Sequence, residues 1–255
     1  MNRNGELAAP DRRTRGGWGG VAVGGVALFW IGTLVGGALA PGYSARVDFI
    51  SSLGGRGSEV AVLGIVTLAV LGLTHLAAAA ALRGVVGVPL VLAGIAGLAV
   101  DAFRTGCPLG AAGCGSGAND APADLADLVH VYAVTAYEGS LVVAMVVVAV
   151  HLARSRPVAA AVTVGVAVLS VVLALQIGGV DSGWWQRGWL AVNTGWLVLL
   201  MTRPPLTPTG VRRVRAGWWP RRARRPAAGR RAMARGCRSR RPALGRAGAG
   251  RRTAR

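Results

Sequence analysis

Asp48, Asp101 and His130 are the residues whose types could run hydrolytic chemistry in this chain. An imidazole can act as general base, and two carboxylates can orient it or join it around a metal. That chemistry needs the three side chains to converge, and local spacing gives no guarantee that they do. There is no HExxH pair, no Gly-x-Ser-x-Gly elbow around Ser51 and Ser52, and no P-loop lysine after the glycines of "GGRG". His75, His130 and His151 are spread along the chain, so no metal site and no cofactor is expected from the sequence.

A second set could bind rather than react: Ser51, Asp127, Glu138, Gln186 and Arg187. Asp127, His130, Val134 and Glu138 follow one another at i, i+3, i+7 and i+11, which places them on one helical face. One reading is a polar pocket for a headgroup, ion or small solute. The other is a set of structural pairs, such as Asp48 or Asp101 with Arg187, that pin loops to helix ends. Glu138 lies far inside an apolar run. A carboxyl group there must be protonated, hydrogen-bonded or faced by a hydrated cavity, because an unpaired charge costs several kcal/mol. It can serve as a proton or cation site, or as a neutral acid bonded to a neighbouring helix.

The elements that position these residues are membrane spans. The chain has 255 residues, 53% hydrophobic and only 15% charged, against about 25% charged in an ordinary soluble domain. A span needs about 20 mainly apolar residues. Six stretches qualify, approximately Trp18–Ala40, Val60–Leu82, Val85–Phe103, Leu128–Leu152, Val158–Gly178 and Trp184–Thr202. Gln186, Arg187, Asn193 and Thr194 make the sixth the least apolar, and five spans is the fallback. The first run is longer than a signal-peptide core and is taken as a span that stays. The expected fold is therefore all-α, a polytopic bundle of six transmembrane helices.

Arginine placement orients it. Arg3, Arg12, Arg13 and Arg15 precede the first span, Arg83 lies between the second and third, and Arg154 and Arg156 between the fourth and fifth. The third loop carries Asp120, Asp124 and Asp127 against Arg104. The positive-inside rule then places both termini in the cytoplasm, with Arg46, Arg56 and Arg187 as exceptions on the outer side. Trp184, Trp185 and Trp189 suit an outer aromatic belt and Trp18 an inner one. Small residues four apart, Gly20/Gly24 and Gly32/Gly36/Ala40, could let helix backbones approach.

The loop after the first span, Tyr43-Ser44 through Asp48-Phe49-Ile50-Ser51-Ser52-Leu53-Gly54, resembles the "Y-S-x-x-x-D-x-I-S-x-L-G" signature of the bacterial domain-of-unknown-function 998 membrane family. The last span opens with Gly183-Trp184-Trp185-Gln186-Arg187, similar to that family's "G-x-x-Q-R". The resemblance covers roughly residues 17–202. It implies six spans of Frag1/DRAM-like architecture and no established activity. Where relatives carry proline after the third-loop aromatic, this chain has Arg104 after Phe103, so no role carries over to Arg104. The plain role for Ser51 or Ser52 is to cap a short helix that Gly54 and Gly55 end.

Cys107 and Cys114 share the third loop, where a disulfide or two free thiols are both open. All ten acids lie within residues 1–202, whereas residues 203–255 hold eighteen of the 29 arginines. This division gives a cytoplasmic amino-terminal tail at 1–16, a membrane domain at 17–202 and a disordered Arg-rich tail at 203–255. The tail would lie on anionic lipid headgroups, without a motif for specific nucleic-acid binding. An out-of-frame carboxy-terminus is the alternative reading of the same composition. The leading functional expectation is a non-enzymatic multi-pass protein of the plasma membrane that binds or moves a small solute, ion or headgroup. Its alternatives are an outer-face His/Asp hydrolase and a scaffold. A homo-oligomer is left open.

Overall fold

The computed structural model describes residues 12–106 and 124–202, excepting the side chains of residues 12–15. Cys107, Cys114, Asp120 and the Arg-rich tail, with the expectations attached to them, lie outside the described residues. Among the described residues there are six α-helices and no strand: α1 (Arg12–Leu39), α2 (Ala61–Leu82), α3 (Gly84–Ala102), α4 (Leu125–Leu152), α5 (Pro157–Ala174) and α6 (Ser182–Thr202). A short 3-10 turn, Ile50–Gly54, lies between α1 and α2.

Local chemistry sets several of the boundaries. Asp124 caps α4 by accepting the Asp127 amide at 3.0 Å. Pro157 opens α5 at a position where its missing N–H costs nothing. Arg83 alone connects α2 to α3, with φ at 52°, followed by Gly84 at 61°. The fifth helix stops at Ala174, short of the expected Gly178, because the chain turns through Gln176–Gly179 with Gly178 at φ 118°.

Each helix packs on the next in sequence, and α6 returns against α1. The core is apolar, with Phe29, Leu90, Leu141, Met145 and Leu197 fully buried. So is much of the surface. Leu28, Ile31 and Leu34 on α1, Val62 and Val66 on α2, and Val158, Val162 and Val168 on α5 are all exposed. Such continuous apolar faces suit lipid, not water. Five helices, α1 to α5, are long and apolar enough to cross a membrane. This is a multi-pass membrane protein.

The sixth helix has the length but not the hydropathy, and its packing explains why. Asn193 and Thr194 are turned inward and buried. Asn193 Nδ2 donates to Ser170 Oγ of α5 at 2.9 Å and to the Trp189 carbonyl at 2.7 Å. Thr194 Oγ1 accepts from Trp30 Nε1 of α1 at 3.1 Å. The residues that dilute its hydropathy are thus satisfied inside the bundle, where an unmet polar group would be costly.

Of the small-residue pairs, Gly32 meets the Thr67 side chain of α2 and Gly36 meets Leu53, whereas Gly20 and Gly24 touch nothing. The α1–α2 seam uses Gly25, set against Thr74, in their place.

Candidate functional site

The signature segment is folded into the bundle as a plug. All five residues of Ile50–Gly54 are buried, and the turn rests on α2 at Gly64. A Cβ there would lie 2.3 Å from the Gly54 nitrogen and the Leu53 carbonyl carbon, so only glycine admits this contact. Neither Ser51 nor Ser52 supplies the expected cap, since Phe49 is the N-cap residue and makes no side-chain capping bond. Instead Ser52 Oγ donates back to the Phe49 carbonyl at 2.7 Å.

Two distant side chains satisfy the plug's main chain. Gln186 Oε1 of α6 accepts the Ile50 amide at 2.7 Å. Arg104 donates from Nε to the Gly54 carbonyl at 2.6 Å and from Nη2 to the Gly55 carbonyl at 2.9 Å. The residue to which sequence comparison assigned no role therefore holds the plug's carboxy-terminal end. A guanidinium fork fits two adjacent carbonyls in a way a proline cannot.

A clasp joins the first loop to the start of α6. Arg187 Nη1 donates to the Asp48 carbonyl and to the Gly183 carbonyl, each at 2.8 Å. Its Nη2 donates to the Tyr43 hydroxyl, with the guanidinium 5.4 Å from the Tyr43 ring centre. Burial raises the Tyr43 pKa above its ordinary value, against the lowering influence of Arg187. The hydroxyl therefore stays protonated and donates to the Phe49 carbonyl at 3.3 Å. The Asp48 carboxylate is not the partner of Arg187; it accepts the Ser44 amide at 2.6 Å within its own loop. The expected Asp48–Arg187 pair is thus corrected to a carbonyl contact. Gly183 is required here, because a Cβ would lie 2.6 Å from the Asp48 oxygen and 2.7 Å from the Ala45 oxygen.

A second clasp ties the plug's exit to α4. Arg56 pairs with Asp124 at 2.5 Å and approaches Asp127 at 3.7 Å, while its amide donates to the Thr105 carbonyl at 2.8 Å. The Asp127 amide bond and Arg56 together lower the Asp124 pKa below its ordinary value. Asp127 Oδ1 accepts the Gly106 amide at 2.9 Å. His130 is buried, and its Nδ1 lies 2.8 Å from the Phe103 carbonyl and 3.1 Å from that of Val100. Carbonyls only accept, so Nδ1 carries the proton and caps the end of α3.

Inside the plug lies a cavity of about 50 Å³, lined by Ile50 and Ser51 of the plug, Val134, Tyr137 and Glu138 of α4, and Gln186 and Trp189 of α6, with parts of α2 and α3. Glu138 is thirteen residues past the start of α4, roughly 20 Å along its axis. Tyr137 is 5% exposed, and its hydroxyl has no hydrogen-bond partner among the described residues. Its ring is wedged edge-on between His75, at 5.3 Å, and Trp189, at 5.7 Å. The Glu138 carboxyl group makes no hydrogen bond or ion pair with another described residue.

Ser51, Glu138 and Gln186 thus share one cavity, while Arg187 and Asp127 work in separate clasps. Asp48, Asp101 and His130 are not joined to one another by any hydrogen bond among the described residues. One oxygen of Asp101, Oδ1, is buried without a partner. Among the described residues, no group of three His, Cys, Asp or Glu side chains could hold a metal ion.

A family model described as "Protein of unknown function (DUF998)" matches residues 11–203. The chain belongs to that family. No curated protein and no solved structure matches it.

In this DUF998 chain the two stretches that carry the sequence resemblance are the two halves of one contact. Tyr43, Asp48 and Ile50 from the first loop meet Gly183, Gln186 and Arg187 from α6. Residues about 140 apart in sequence are locked through the Asp48 carbonyl, the Ile50 amide and the Tyr43 hydroxyl, while the side-chain carboxylate of Asp48 faces elsewhere. Tyr137 is the functional candidate that sequence reasoning missed. A tyrosine in a greasy run reads as core, and only its missing partner distinguishes it.

Proposed function

We propose that this protein spans the plasma membrane with both termini in the cytoplasm and binds a small cation in the cavity beneath its plug. Glu138 supplies the charge and exchanges the cation for a proton. Tyr137 and Ser51 supply polar contacts. The observation that carries the reading is the Tyr137 hydroxyl, buried without a partner among the described residues, on a residue that lines the same cavity as Glu138. Buried polar groups normally have partners, and those left over mark a ligand or a water site. The cavity's 50 Å³ holds about three or four water-sized groups. That suits an ion with part of its hydration shell, and it is too small for a lipid headgroup. Oxygen donors of this kind favour hard cations.

The experiment is thermal unfolding of the full chain in detergent, titrated with sodium, potassium and ammonium at fixed ionic strength. A cation that binds the folded state raises stability by about 2.7 kcal/mol at one hundred times its dissociation constant. Glu138→Gln should abolish the cation-specific shift, and Tyr137→Phe should weaken it. A wild type no more responsive to any of these ions than Glu138→Gln would sink the proposal. The second reading is a non-catalytic scaffold. It is favoured by the fact that Arg187, Arg104 and His130 each bond main-chain groups that hold loops to helix ends.

A further inference from the structure

The lining of the plug cavity bears on which kind of cation it takes. Glu138 is the only charged residue among the described lining residues, so the site balances a single positive charge. Counting oxygens narrows the choice. The Glu138 carboxyl group offers two, and the hydroxyls of Tyr137 and Ser51 one each, none of them bonded to another described residue. Gln186 Oε1 already accepts the Ile50 amide at 2.7 Å. A hard metal ion stripped of water takes about six or more oxygen ligands, so four fall short. Waters retained on the ion would face the rest of the wall, which is mostly hydrocarbon from Ile50, Leu71, Val100, Val134 and Leu190. A bound water needs about two to four polar partners, and such a wall does not supply them.

An alkylammonium ion has the opposite requirements. It is protonated at neutral pH, as the lysine side chain is. Its few N–H donors match the few acceptors, and a bond to a carboxylate is the strongest kind available to them. Its carbon gains from burial against the aliphatic wall. The rings of Tyr137 and Trp189 also line the cavity, and aromatic rings attract desolvated ammonium groups. The space of about 50 Å³ holds about three or four water-sized groups, enough for a nitrogen with about one or two carbons.

We propose that the cavity binds a small protonated amine such as methylammonium, its nitrogen among Glu138, Tyr137 and Ser51 and its methyl group against the aliphatic wall. This narrows the cation site proposed above and rests on it.

The test is thermal unfolding of the full chain in detergent at neutral pH and fixed ionic strength. It is titrated with the chlorides of methylammonium, ammonium, sodium, potassium and tetramethylammonium. Methylammonium should bind about fourfold more tightly than ammonium, the factor for burying one methyl group, and both more tightly than sodium or potassium. Tetramethylammonium, bulkier and without an N–H, should give no specific shift. Glu138→Gln should abolish the response to both amines. Val134→Ile, which adds one methyl group to the wall, should erase the methylammonium advantage while ammonium still stabilises. Sodium or potassium acting as strongly as methylammonium, with a shift lost in Glu138→Gln, would overturn the amine and leave the cation site standing. No response to any of the ions would overturn both. A methylammonium advantage undiminished in Val134→Ile would place the amine outside this cavity and overturn the proposal as well.

Discussion

Gly183→Ala should be among the most damaging single-methyl additions in this protein, although it lies at the start of a helix where alanine is intrinsically favoured. The added Cβ would sit 2.6 Å from the Asp48 carbonyl oxygen and 2.7 Å from that of Ala45. Both obstacles are backbone, so no rotamer change can clear them. The first loop must retreat from α6, and the contacts that depend on its position go with it. These are the Arg187 bond to Asp48, the Gln186 bond to Ile50 and the Trp184 amide bond to Arg46. At about 1 kcal/mol for each neutral bond and about 2 for the charge-assisted one, complete loss costs about 4 kcal/mol. The assay is reversible unfolding in mixed micelles, with Gly20→Ala as its control. Gly20 has nothing within 4 Å, so alanine there should be neutral or stabilise by up to about 1 kcal/mol. If Gly183→Ala fell within about 1 kcal/mol of wild type, the clasp would not hold the loop, and the structural account of the signature residues would be wrong.

Arg104→Ala should destabilise by about 3 kcal/mol, because it removes two charge-assisted bonds to carbonyls of the buried plug. Arg104→Lys should recover less than half of that loss, since a point charge cannot match the fork; full rescue in the same unfolding assay would argue against bidentate capping. Asp124 supplies a pH-dependent contribution. Its folded-state pKa is depressed, first by the Asp127 amide and then by Arg56, so its stabilisation is complete above the ordinary aspartate range and is lost as pH falls below it. Unfolding curves of wild type and Asp124→Asn should therefore differ at pH 6 and converge at the most acidic pH the protein tolerates, and a gap that widened with acid would reverse the assignment.

Much of the architecture was legible in the chain. Helices α1 to α4 match the apolar runs to within a few residues at most ends, because lipid demands a continuous stretch of greasy side chains whatever the neighbours do. α6 was correctly the least apolar, and the chain alone could not say why. Asn193 and Thr194 look like faults in a span until α5 and α1 are present to receive their bonds.

The functional residues divide along the same line. Sequence placed Glu138 deep inside a helix and on one face with Asp127 and His130, since that follows from helical periodicity alone. It could not tell which polar groups find partners, because those partners come from far along the chain. Gln186 stood out as a ligand candidate, yet its oxygen is committed to an amide 136 residues away. Arg104 was set aside, yet it caps carbonyls 50 and 49 residues away. Tyr137 drew no notice, and only the packed bundle leaves its hydroxyl unmatched beside Glu138. Hydropathy is a property of each segment and survives reading one residue at a time. Hydrogen-bond satisfaction belongs to pairs, and only the tertiary structure decided which pairs exist.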